Sequence, residues 1–459
     1  MKSSLLGIVI IAALGGLLFG FDTAVISGTT DSLKEVFELS PGWLGFTMAS
    51  ALIGTIFGAM FAGKPADIIG RRALLFWIAI AYFISAVGSA LAWNLWSFIL
   101  FRFLGGLGVG AASATSPLYI TEISPARYRG RMVAITQFNI VLGILLAYLS
   151  NYLVSRCDFG ASEWRWMFGI EAFPAALFFF LLFLTPRSPR WLLAKQRDDE
   201  AREILNNYGS DDVDVDDEIE TIKDSLDLER HSASEPLFQN AYRKPIFLVI
   251  AIAAFNQLSG INAILYYAPA IFKSAGFGED AGLLNSVGLG AMNLIFTMAA
   301  LAIIDHFGRR RLMIVGSIGY ILSLGATAAT FYTQSSTVQN DAGEMVRQFS
   351  GAGGWIVFAG LLVFIASHAF GQGAVIWVFI SEIFPNRVRA KGQALGCFTH
   401  WVMAAAISWT FPMIAEASGG HTFAFYAAMM VLQLYWVLKY MPETKQIPLE
   451  QIQQQLGIE

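Results

Sequence analysis

Asp67-Ile-Ile-Gly-Arg-Arg72 is repeated 238 positions later as Asp305-His-Phe-Gly-Arg-Arg310, and this repeat decides the fold. A second motif, Glu122-Ile-Ser-Pro-Ala-Arg-Tyr-Arg129, returns as Glu382-Ile-Phe-Pro-Asn-Arg-Val-Arg389, 260 positions later. Each copy stands at the same place in its half of the chain. A repeat of this kind indicates a duplicated structural unit.

The segments between these motifs are apolar and long enough to cross a membrane. A transmembrane helix needs about 20 mostly apolar residues to cross about 30 Å of hydrocarbon. The sequence contains twelve such windows, six in each half, which is typical of a transporter. The windows cover roughly 4–28, 42–63, 73–93, 97–120, 132–153, 167–185, 245–272, 282–304, 312–333, 353–380, 392–414 and 422–441.

The windows predict an all-α integral membrane protein with twelve transmembrane helices in two six-helix bundles. Because six is even, the two halves have parallel topology. We expect an N-terminal bundle over 1–186, a cytoplasmic helical linker over 187–243, a C-terminal bundle over 244–441 and a cytoplasmic tail over 442–459.

Composition leads to the same conclusion. Apolar residues make up 56% of the 459 residues and charged ones 14%, against about 25% in an average globular chain. Residues 187–243 hold 23 of the 64 charged side chains, which leaves 41 for the other 402 residues. Such a chain needs lipid as its solvent, which excludes secreted enzymes and disulfide scaffolds. The net charge of −4 indicates no nucleic-acid partner.

Basic residues predict the orientation. The loops at 64–72, 121–131, 305–311 and 382–391 hold twelve Lys and Arg, and the opposite loops hold five. Since basic loops stay in the cytoplasm, both termini and the linker are expected there, in a multi-pass protein of the plasma membrane. The acidic run at 211–220 reads as a solvated helix face rather than a calcium site, because it lacks the pattern of an EF-hand loop.

Two ionisable residues interrupt the first and fourth windows. Asp22 and Arg102 each cost about 2.5–3.5 kcal/mol at a helix centre, so each needs a partner or a water cavity. They form either a static ion pair or a proton switch, in which loss of the guanidinium favours protonation of Asp22. Glu171 falls near the start of the sixth window, so Asp22 is expected to be the acidic residue that couples transport to protons.

Amide side chains give the second half a candidate solute site. Neutral amides donate and accept, which suits a polyol, although they also join membrane helices to each other. His400 is either a satisfied neutral hydrogen-bonding residue or a titrating one. The polar residues are Asn256, Gln257, Asn262 and Tyr266, with Gln137 and Asn293 in other windows, while Trp377 and Trp401 offer flat faces for a ring.

We expect no metal, no cofactor and no enzymatic activity. The five histidines are scattered without a second ligand at suitable spacing, and the apolar windows contain no nucleophile–base pair. The two cysteines, Cys157 and Cys397, fall in a loop and in an apolar window, so they are not expected to pair.

These motifs resemble those of the major facilitator superfamily and, within it, the sugar porter family of bacterial proton–sugar symporters and animal facilitative glucose transporters. The resemblance covers nearly the whole chain. The motifs that carry it are Gly63-x-x-x-Asp-x-x-Gly-Arg-Arg72, Arg102-Phe-Leu-Gly-Gly-Leu-Gly108, Pro186-Arg-Ser-Pro-Arg190, Gln257-Leu-Ser-Gly-Ile-Asn262 with Tyr266-Tyr267, and Pro442-Glu-Thr-Lys445.

The resemblance implies roles for individual residues. An aspartate at position 22 is typical of proton symporters, so Asp22 and Arg102 are implied to couple protons. The positions implied to contact sugar are Phe19, Gln137, Asn256, Gln257, Asn262, Tyr266, Asn293, Trp377 and Trp401, with His400 at a place where relatives carry Gln or Asn.

The repeated charged motifs are implied to be conformational locks, formed in the outward-open state and broken when the inside opens. Positive-inside topology alone would also explain their arginines. The residues are Asp67, Arg71, Arg72, Glu122, Arg129, Asp305, Arg309, Arg310, Glu382 and Arg389. The chain departs from the family pattern at Ile68, Arg187, Asn256, His306, His400 and Gln446, and Arg187 stands where Glu is usual.

The sequence therefore predicts a monomeric, proton-coupled monosaccharide symporter, for a hexose or a pentose, that works by alternating access. Its expected partners are the sugar, protons and the lipid bilayer. Two alternatives stay open at this point, a passive sugar uniporter and a proton-coupled polyol or inositol transporter.

Overall fold

The computed structural model describes residues 3–125, 127–209, 214–232, 235–339, 345–385, 387–445, 447 and 449–458. Asp211, Asp212 and Gln446 lie outside these residues, and so does the side chain of Asp305. Within them, twelve helical spans are long and apolar enough to cross a membrane. Spans 1 to 12 are Leu5–Val36, Pro41–Phe61, Arg71–Ala90, Leu95–Ile123, Arg129–Ser155, Gly160–Leu184, Asn240–Tyr266, Glu279–Ile304, Arg309–Thr333, Gly353–Glu382, Arg389–Glu416 and Gly419–Lys439.

All twelve predicted windows match one of these spans. The helices of the first half are α1 (Ser3–Val25), α2 (Thr30–Val36), α3 (Pro41–Phe61), α4 (Gly63–Ile69), α5 (Arg71–Ala90), α6 (Leu95–Ile123), α7 (Arg129–Ser155), α8 (Glu163–Gly169) and α9 (Ala172–Leu181).

The linker that follows is helical, as the sequence predicts. Its helices are α10 (Pro189–Ala194), α11 (Asp198–Tyr208) and α12 (Val215–Ser232). Leu192, Leu193, Ala201, Leu205 and Ile219 form a small apolar core among them. Of the acidic run at 211–220, the described residues Asp214, Asp216, Asp217 and Glu220 are exposed, whereas Glu218 is half-buried.

The second half repeats the pattern of the first. Its helices are α13 (Arg243–Leu258), α14 (Ile261–Tyr266), α15 (Ala268–Ser274), α16 (Glu279–Phe307), α17 (Arg309–Thr333), α18 (Gly353–His368), α19 (Ala374–Glu382), α20 (Arg389–Ala417), α21 (Gly419–Lys439) and α22 (Leu449–Leu456).

One element departs from the all-α prediction. Strands β1 (Ser335–Gln339) and β2 (Met345–Phe349) pair antiparallel, with Ser335 opposite Phe349. They lie in the loop between α17 and α18. A search for apolar windows does not find such a hairpin, because the segment is short and polar.

Several spans are interrupted, and one interruption shapes the polar region of span 7. α13 ends at Leu258 and α14 begins at Ile261, because Gly260 has a left-handed φ of 86°. A Cβ on Gly260 would lie 2.5 Å from the Tyr426 ring. Span 10 is interrupted by a π-helical turn over Ala369–Gly373 between α18 and α19. Such turns are frequent at functional sites.

The two bundles are held together at the end of the molecule opposite the linker, called the far end here. α3 packs on α20 so closely that a Cβ on Gly45 would lie 1.9 Å from the carbonyl oxygen of Trp409. Two ion pairs also join the bundles at this end, Arg156–Asp280 at 3.1 Å and Lys273–Asp31 at 2.6 Å. The structure is therefore closed at the far end.

Candidate functional site

The centre of the first bundle holds a buried ion pair. Arg102 of α6 donates from Nη1 to Oδ1 of Asp22 in α1 at 2.6 Å and from Nη2 to the Asp22 carbonyl oxygen at 3.0 Å. Both side chains are 1% exposed. Gly105, one turn beyond Arg102, permits this approach, because its Cβ would lie 3.2 Å from Asp22 Oδ1 and 2.3 Å from Ser85 Oγ. The sequence prediction that Asp22 and Arg102 meet is confirmed.

A second carboxylate lies beside this pair. Glu171 interacts with Asp22 and Arg102 and is 1% exposed. Within the described part of the chain, the hydroxyl of nearby Tyr82 has no hydrogen-bond partner. The expectation that Glu171 is near the start of span 6 is wrong, since the span begins at Gly160. The polar residues at 160–166 hid its first turns from a search for apolar windows.

The predicted amide row forms a connected cluster in span 7. Gln257 donates from Nε2 to Oδ1 of Asn256 at 2.9 Å, and its Oε1 accepts from Nδ2 of Asn262 at 2.8 Å. The second of these bonds joins α13 and α14 across the break at Gly260. The Gln257 amide nitrogen also lies 3.3 Å and 3.4 Å from the two ring nitrogens of His400 in α20.

Aromatic rings border the amide cluster. The His400 ring centroid lies 5.0 Å from that of Trp377 and 4.8 Å from that of Trp401. Trp401 meets Phe19 of the first bundle at 5.7 Å, so the two bundles meet in this cluster. Trp377 is 41% exposed, whereas the indole N–H of Trp401 is buried and has no partner among the described residues. Apolar rings beside buried hydrogen-bond donors suit a solute that has both hydroxyl groups and C–H faces.

Tyr266 connects the two polar groups. It lies in α14, is 1% exposed, and interacts electrostatically with Asp22 and Arg102 of the first bundle. Its neighbour Leu265 accepts a hydrogen bond through its carbonyl oxygen from the Tyr148 hydroxyl of α7, at 2.6 Å. The segment that carries Asn262 thus bonds to the first bundle through Leu265 and lies within electrostatic range of the Asp22–Arg102 pair.

The other predicted solute residues are placed on neighbouring helices. Gln137 is half-buried in α7, and Asn293 is buried in α16, where its Oδ1 accepts from the Thr297 hydroxyl at 3.3 Å.

The predicted lock residues pair within each bundle. Arg71 contacts Asp67 and Glu122, both at 2.9 Å. In the second half Arg309 contacts Glu382 at 2.7 Å. The second arginine of each motif bonds to backbone carbonyls at the end of the last span of its half: Arg72 to Leu182 and Phe183, and Arg310 to Val437 and Leu438.

The last arginine of the second repeated motif, Arg129 or Arg389, bonds to a backbone carbonyl and not to the glutamate that begins the motif. Arg129 donates from Nε to the Thr121 carbonyl oxygen at 3.0 Å, and Arg389 to that of Phe384 at 3.4 Å. Burial raises the pKa of Glu218 in the linker helix α12, and the nearby charge of Arg129 opposes this rise. Glu122 and Glu382 are therefore held by Arg71 and Arg309 in this conformation, and Arg129 faces the linker.

Twelve spanning helices around a central polar site define a multi-span membrane transporter. The family model described as "Sugar (and other) transporter" matches residues 8–456, so the chain belongs to this family of the major facilitator type.

The chain is similar to curated transporters over nearly its whole length. It is 36% identical to the D-xylose-proton symporter of Escherichia coli (strain K12), with 98% of this chain and 96% of that protein covered. It is 35% identical to the arabinose-proton symporter of Bacillus subtilis (strain 168), with 98% and 96% covered. Its fold matches the inward open conformation of the xylose transporter XylE from E. coli with a TM-score of 0.84, at 36% identity, over 98% of this chain and 99% of that one. The predicted family and fold class are confirmed.

Proposed function

We propose that this protein is a proton-coupled monosaccharide symporter that carries a hexose or a pentose by alternating access. The observation that supports it most is the buried Asp22–Arg102 pair with Glu171 beside it, within electrostatic range of Tyr266 in the span that carries the amide cluster. Relatives named as proton symporters for xylose and arabinose agree with this proposal.

The amide and aromatic groups account for the solute. Gln257, Asn262 and His400 present both donors and acceptors, and the rings of Trp377 and Trp401 border them. A neutral sugar offers hydroxyl groups to the first set and ring C–H faces to the second. We propose that Phe19, Gln137, Asn256, Tyr266 and Asn293 complete this site, which binds the sugar without a metal or cofactor.

The ion pair accounts for coupling. When Asp22 is ionised, it holds Arg102 and keeps α1 and α6 together. When Asp22 is protonated, Arg102 loses its counter-charge and the contacts near Tyr266 change. A proton on Asp22 thereby biases the same contacts between the bundles that the sugar uses. This is enough for coupling, because a small difference in free energy between two states shifts their equilibrium.

We also propose the orientation and the cellular place. The linker end faces the cytoplasm, as the basic loops predict, and the protein lies in the inner membrane as a monomer. With the far end closed, the conformation described here is then inward-facing. The Arg71–Glu122 and Arg309–Glu382 pairs are formed in it, so on this proposal these pairs within a bundle do not have to break for the inside to open. The protein carries the sugar and the proton together, and the proton gradient drives accumulation of the sugar.

Asp22→Asn tests the proposal. The amide keeps the size of the side chain but cannot titrate, so we expect proteoliposomes to retain sugar binding and counterflow and to lose accumulation under an inward proton gradient. Glu163→Gln, the same chemical change at a partly exposed carboxylate of α8, is the control and should accumulate sugar normally. Accumulation by Asp22→Asn would mean that the proton site lies elsewhere. Equal, gradient-independent uptake by the native protein would identify a passive uniporter.

A further inference from the structure

A buried tyrosine is duplicated together with the two bundles. Tyr82 and Tyr320 stand 238 positions apart, which is the spacing of the first repeated motif, and they occupy the same place in α5 and α17. A serine follows each of them three residues later, as Ser85 and Ser323. Both tyrosines are fully buried. The hydroxyl group of a buried tyrosine usually has a hydrogen-bond partner, because an unpaired hydroxyl in an apolar interior is unfavourable.

The tyrosine of the second bundle has such partners. The Tyr320 hydroxyl lies 2.6 Å from Nδ1 of His368, at the end of α18, and 3.3 Å from Oε1 of Gln372 in the π-helical turn that follows. These contacts join α17 to span 10. The hydroxyl group of Tyr320 is therefore explained by the packing of its own bundle.

The tyrosine of the first bundle lacks this arrangement. Gly108 of α6 stands 260 positions before His368, the spacing of the second repeated motif, and a Cβ on Gly108 would lie 3.7 Å from Cδ1 of Tyr82. The ring of Tyr82 thus meets a glycine where the ring of Tyr320 meets an imidazole. Within the part of the chain that the structure describes, the Tyr82 hydroxyl has no hydrogen-bond partner.

The face of α5 that carries Tyr82 is turned toward the buried charges of the bundle. Ser85 lies one turn further along the same face. A Cβ on Gly105 of α6 would lie 2.3 Å from Ser85 Oγ and 3.2 Å from Asp22 Oδ1, so the serine and the aspartate border the same point. This face of α5 therefore packs directly against the proton site.

Four charged or titratable groups surround this place in the described residues. Asp22 of α1 and Glu171, between α8 and α9, lie close enough to share a proton, and Tyr82 interacts electrostatically with both. Arg102 of α6 offsets the charge of both carboxyl groups, and Tyr266 of α14 faces Asp22 and Arg102 from the other bundle. Tyr82 thus places an unused hydroxyl donor beside two carboxyl groups.

We propose that Tyr82 is a positioning residue of the proton site, whose hydroxyl group donates to the Glu171 carboxylate once the proton shared with Asp22 has left. Asp22 is held by Arg102 at 2.6 Å, so Glu171 is the carboxyl group that turns away when both are ionised and repel each other. In the conformation described here the two carboxyl groups lie close together, which leaves the hydroxyl unused. The inference rests on the proposed proton coupling and adds a residue that tunes it.

The physical consequence is a change in the pH at which the site takes up its proton. A hydrogen bond to the ionised form of a carboxyl group favours that form, because the donor partly offsets the negative charge. The Tyr82 hydroxyl therefore lets the site release its proton at a lower pH than it otherwise would. Loss of the hydroxyl has the opposite effect, and the site then holds its proton to a higher pH.

Tyr82→Phe tests the proposal, since it removes the hydroxyl group and keeps the ring. Proton-driven uptake by proteoliposomes is measured over a series of external pH values, and sugar counterflow reports whether the variant is folded. Infrared difference spectra of the purified protein follow the C=O stretch of protonated carboxyl groups as the pH changes, which does not depend on transport. Asp22→Asn and Glu171→Gln assign this band.

Tyr119→Phe is the control, because it makes the same chemical change at a fully buried tyrosine of α6. The Tyr119 hydroxyl donates to the Pro186 carbonyl oxygen at 2.6 Å, at the linker end of the bundle. We expect this variant to have a lower unfolding temperature and the same half-maximal pH as the native protein.

We expect Tyr82→Phe to retain counterflow and to raise the half-maximal pH, in uptake and in the infrared titration, by roughly 0.5 to 1 unit. An unchanged midpoint in the infrared titration would overturn the proposal and assign Tyr82 to packing, whether or not counterflow is retained. So would an equal shift in Tyr119→Phe. If uptake by the native protein does not depend on the proton gradient, the proposed coupling fails instead, and the infrared midpoint still decides whether Tyr82 acts on the carboxyl pair.

Discussion

At the residue scale, the centre of the first bundle is an unusual concentration of buried charge. Asp22 and Arg102 are paired at 2.6 Å, while Glu171 lies beside them and is also 1% exposed. Removal of one member of a buried ion pair costs about 3–5 kcal/mol when its partner stays charged. Glu171 is therefore a second carboxylate that can exchange a proton with Asp22.

Glu171→Gln is expected to keep sugar binding and counterflow and to change the pH dependence of proton-driven uptake. The amide cannot carry a proton, so it removes the second group that can share a proton with Asp22, and the shape of the pH profile should change. Uptake by proteoliposomes over a series of external pH values measures this, with Glu163→Gln as control. An unchanged profile would assign Glu171 to packing.

Gln257→Ala is expected to weaken sugar binding by roughly one to two decades while the protein stays folded. A lost hydrogen bond to a buried hydroxyl costs about 1–3 kcal/mol. Calorimetry on the purified protein measures the affinity. Gln433→Ala removes an equally buried amide of α21 that bonds to Ser317 at 2.9 Å, and should lower the unfolding temperature with unchanged affinity. If both variants lose affinity alike, Gln257 acts through stability.

At the element scale, interruptions of helices build the solute site. The left-handed residue Gly260 ends α13 and lets Asn262 bond back to Gln257. The motif around these residues indicated a polar row, but a continuous window predicted one unbroken helix. Glycine is favoured at such a φ because it lacks a Cβ, yet many glycines of spanning helices serve close packing, so the break did not follow from the residue type.

Gly260→Ala is expected to reduce both stability and sugar affinity. A left-handed non-glycine residue costs about 1–3 kcal/mol, and the new Cβ would also lie 2.5 Å from the Tyr426 ring. Gly276→Ala is a matched control, since Gly276 has a φ of 90° but nothing within 4 Å of a new Cβ. Thermal unfolding and calorimetry compare the two. A drop in affinity of equal size in the control would show that backbone strain alone is responsible.

At the scale of the whole molecule, closure of the far end depends on contacts between backbones. Gly45 of α3 lies against the Trp409 carbonyl of α20, and no side-chain rearrangement makes room for a Cβ there. The two ion pairs at this end are about half exposed or more, so they add little to the closed state. The close approach of the backbones at Gly45 therefore contributes more to this closure than the ion pairs do.

Gly45→Leu is expected to hold the far end open and to abolish net sugar uptake while equilibrium binding persists. Distances between spin labels placed on α3 and α20 at the far end measure the conformation. Gly7→Leu, at an exposed site of α1 with nothing within 4 Å of the new Cβ, should behave like the native protein. Normal uptake by Gly45→Leu would show that the close approach is not part of the transport cycle.

The sequence by itself determined the twelve spans, the duplication and the pairing of Asp22 with Arg102, because length, hydropathy and rare intramembrane charges are local properties that lipid makes decisive. The tertiary structure alone decided that Glu171 joins this pair, that Gln257 and Asn262 meet across a broken helix, and that the Glu443 carboxylate accepts from the first backbone N–H groups of α17. These depend on the rotation and depth of each helix against its neighbours, and such long-range contacts leave no periodic signal along a single chain.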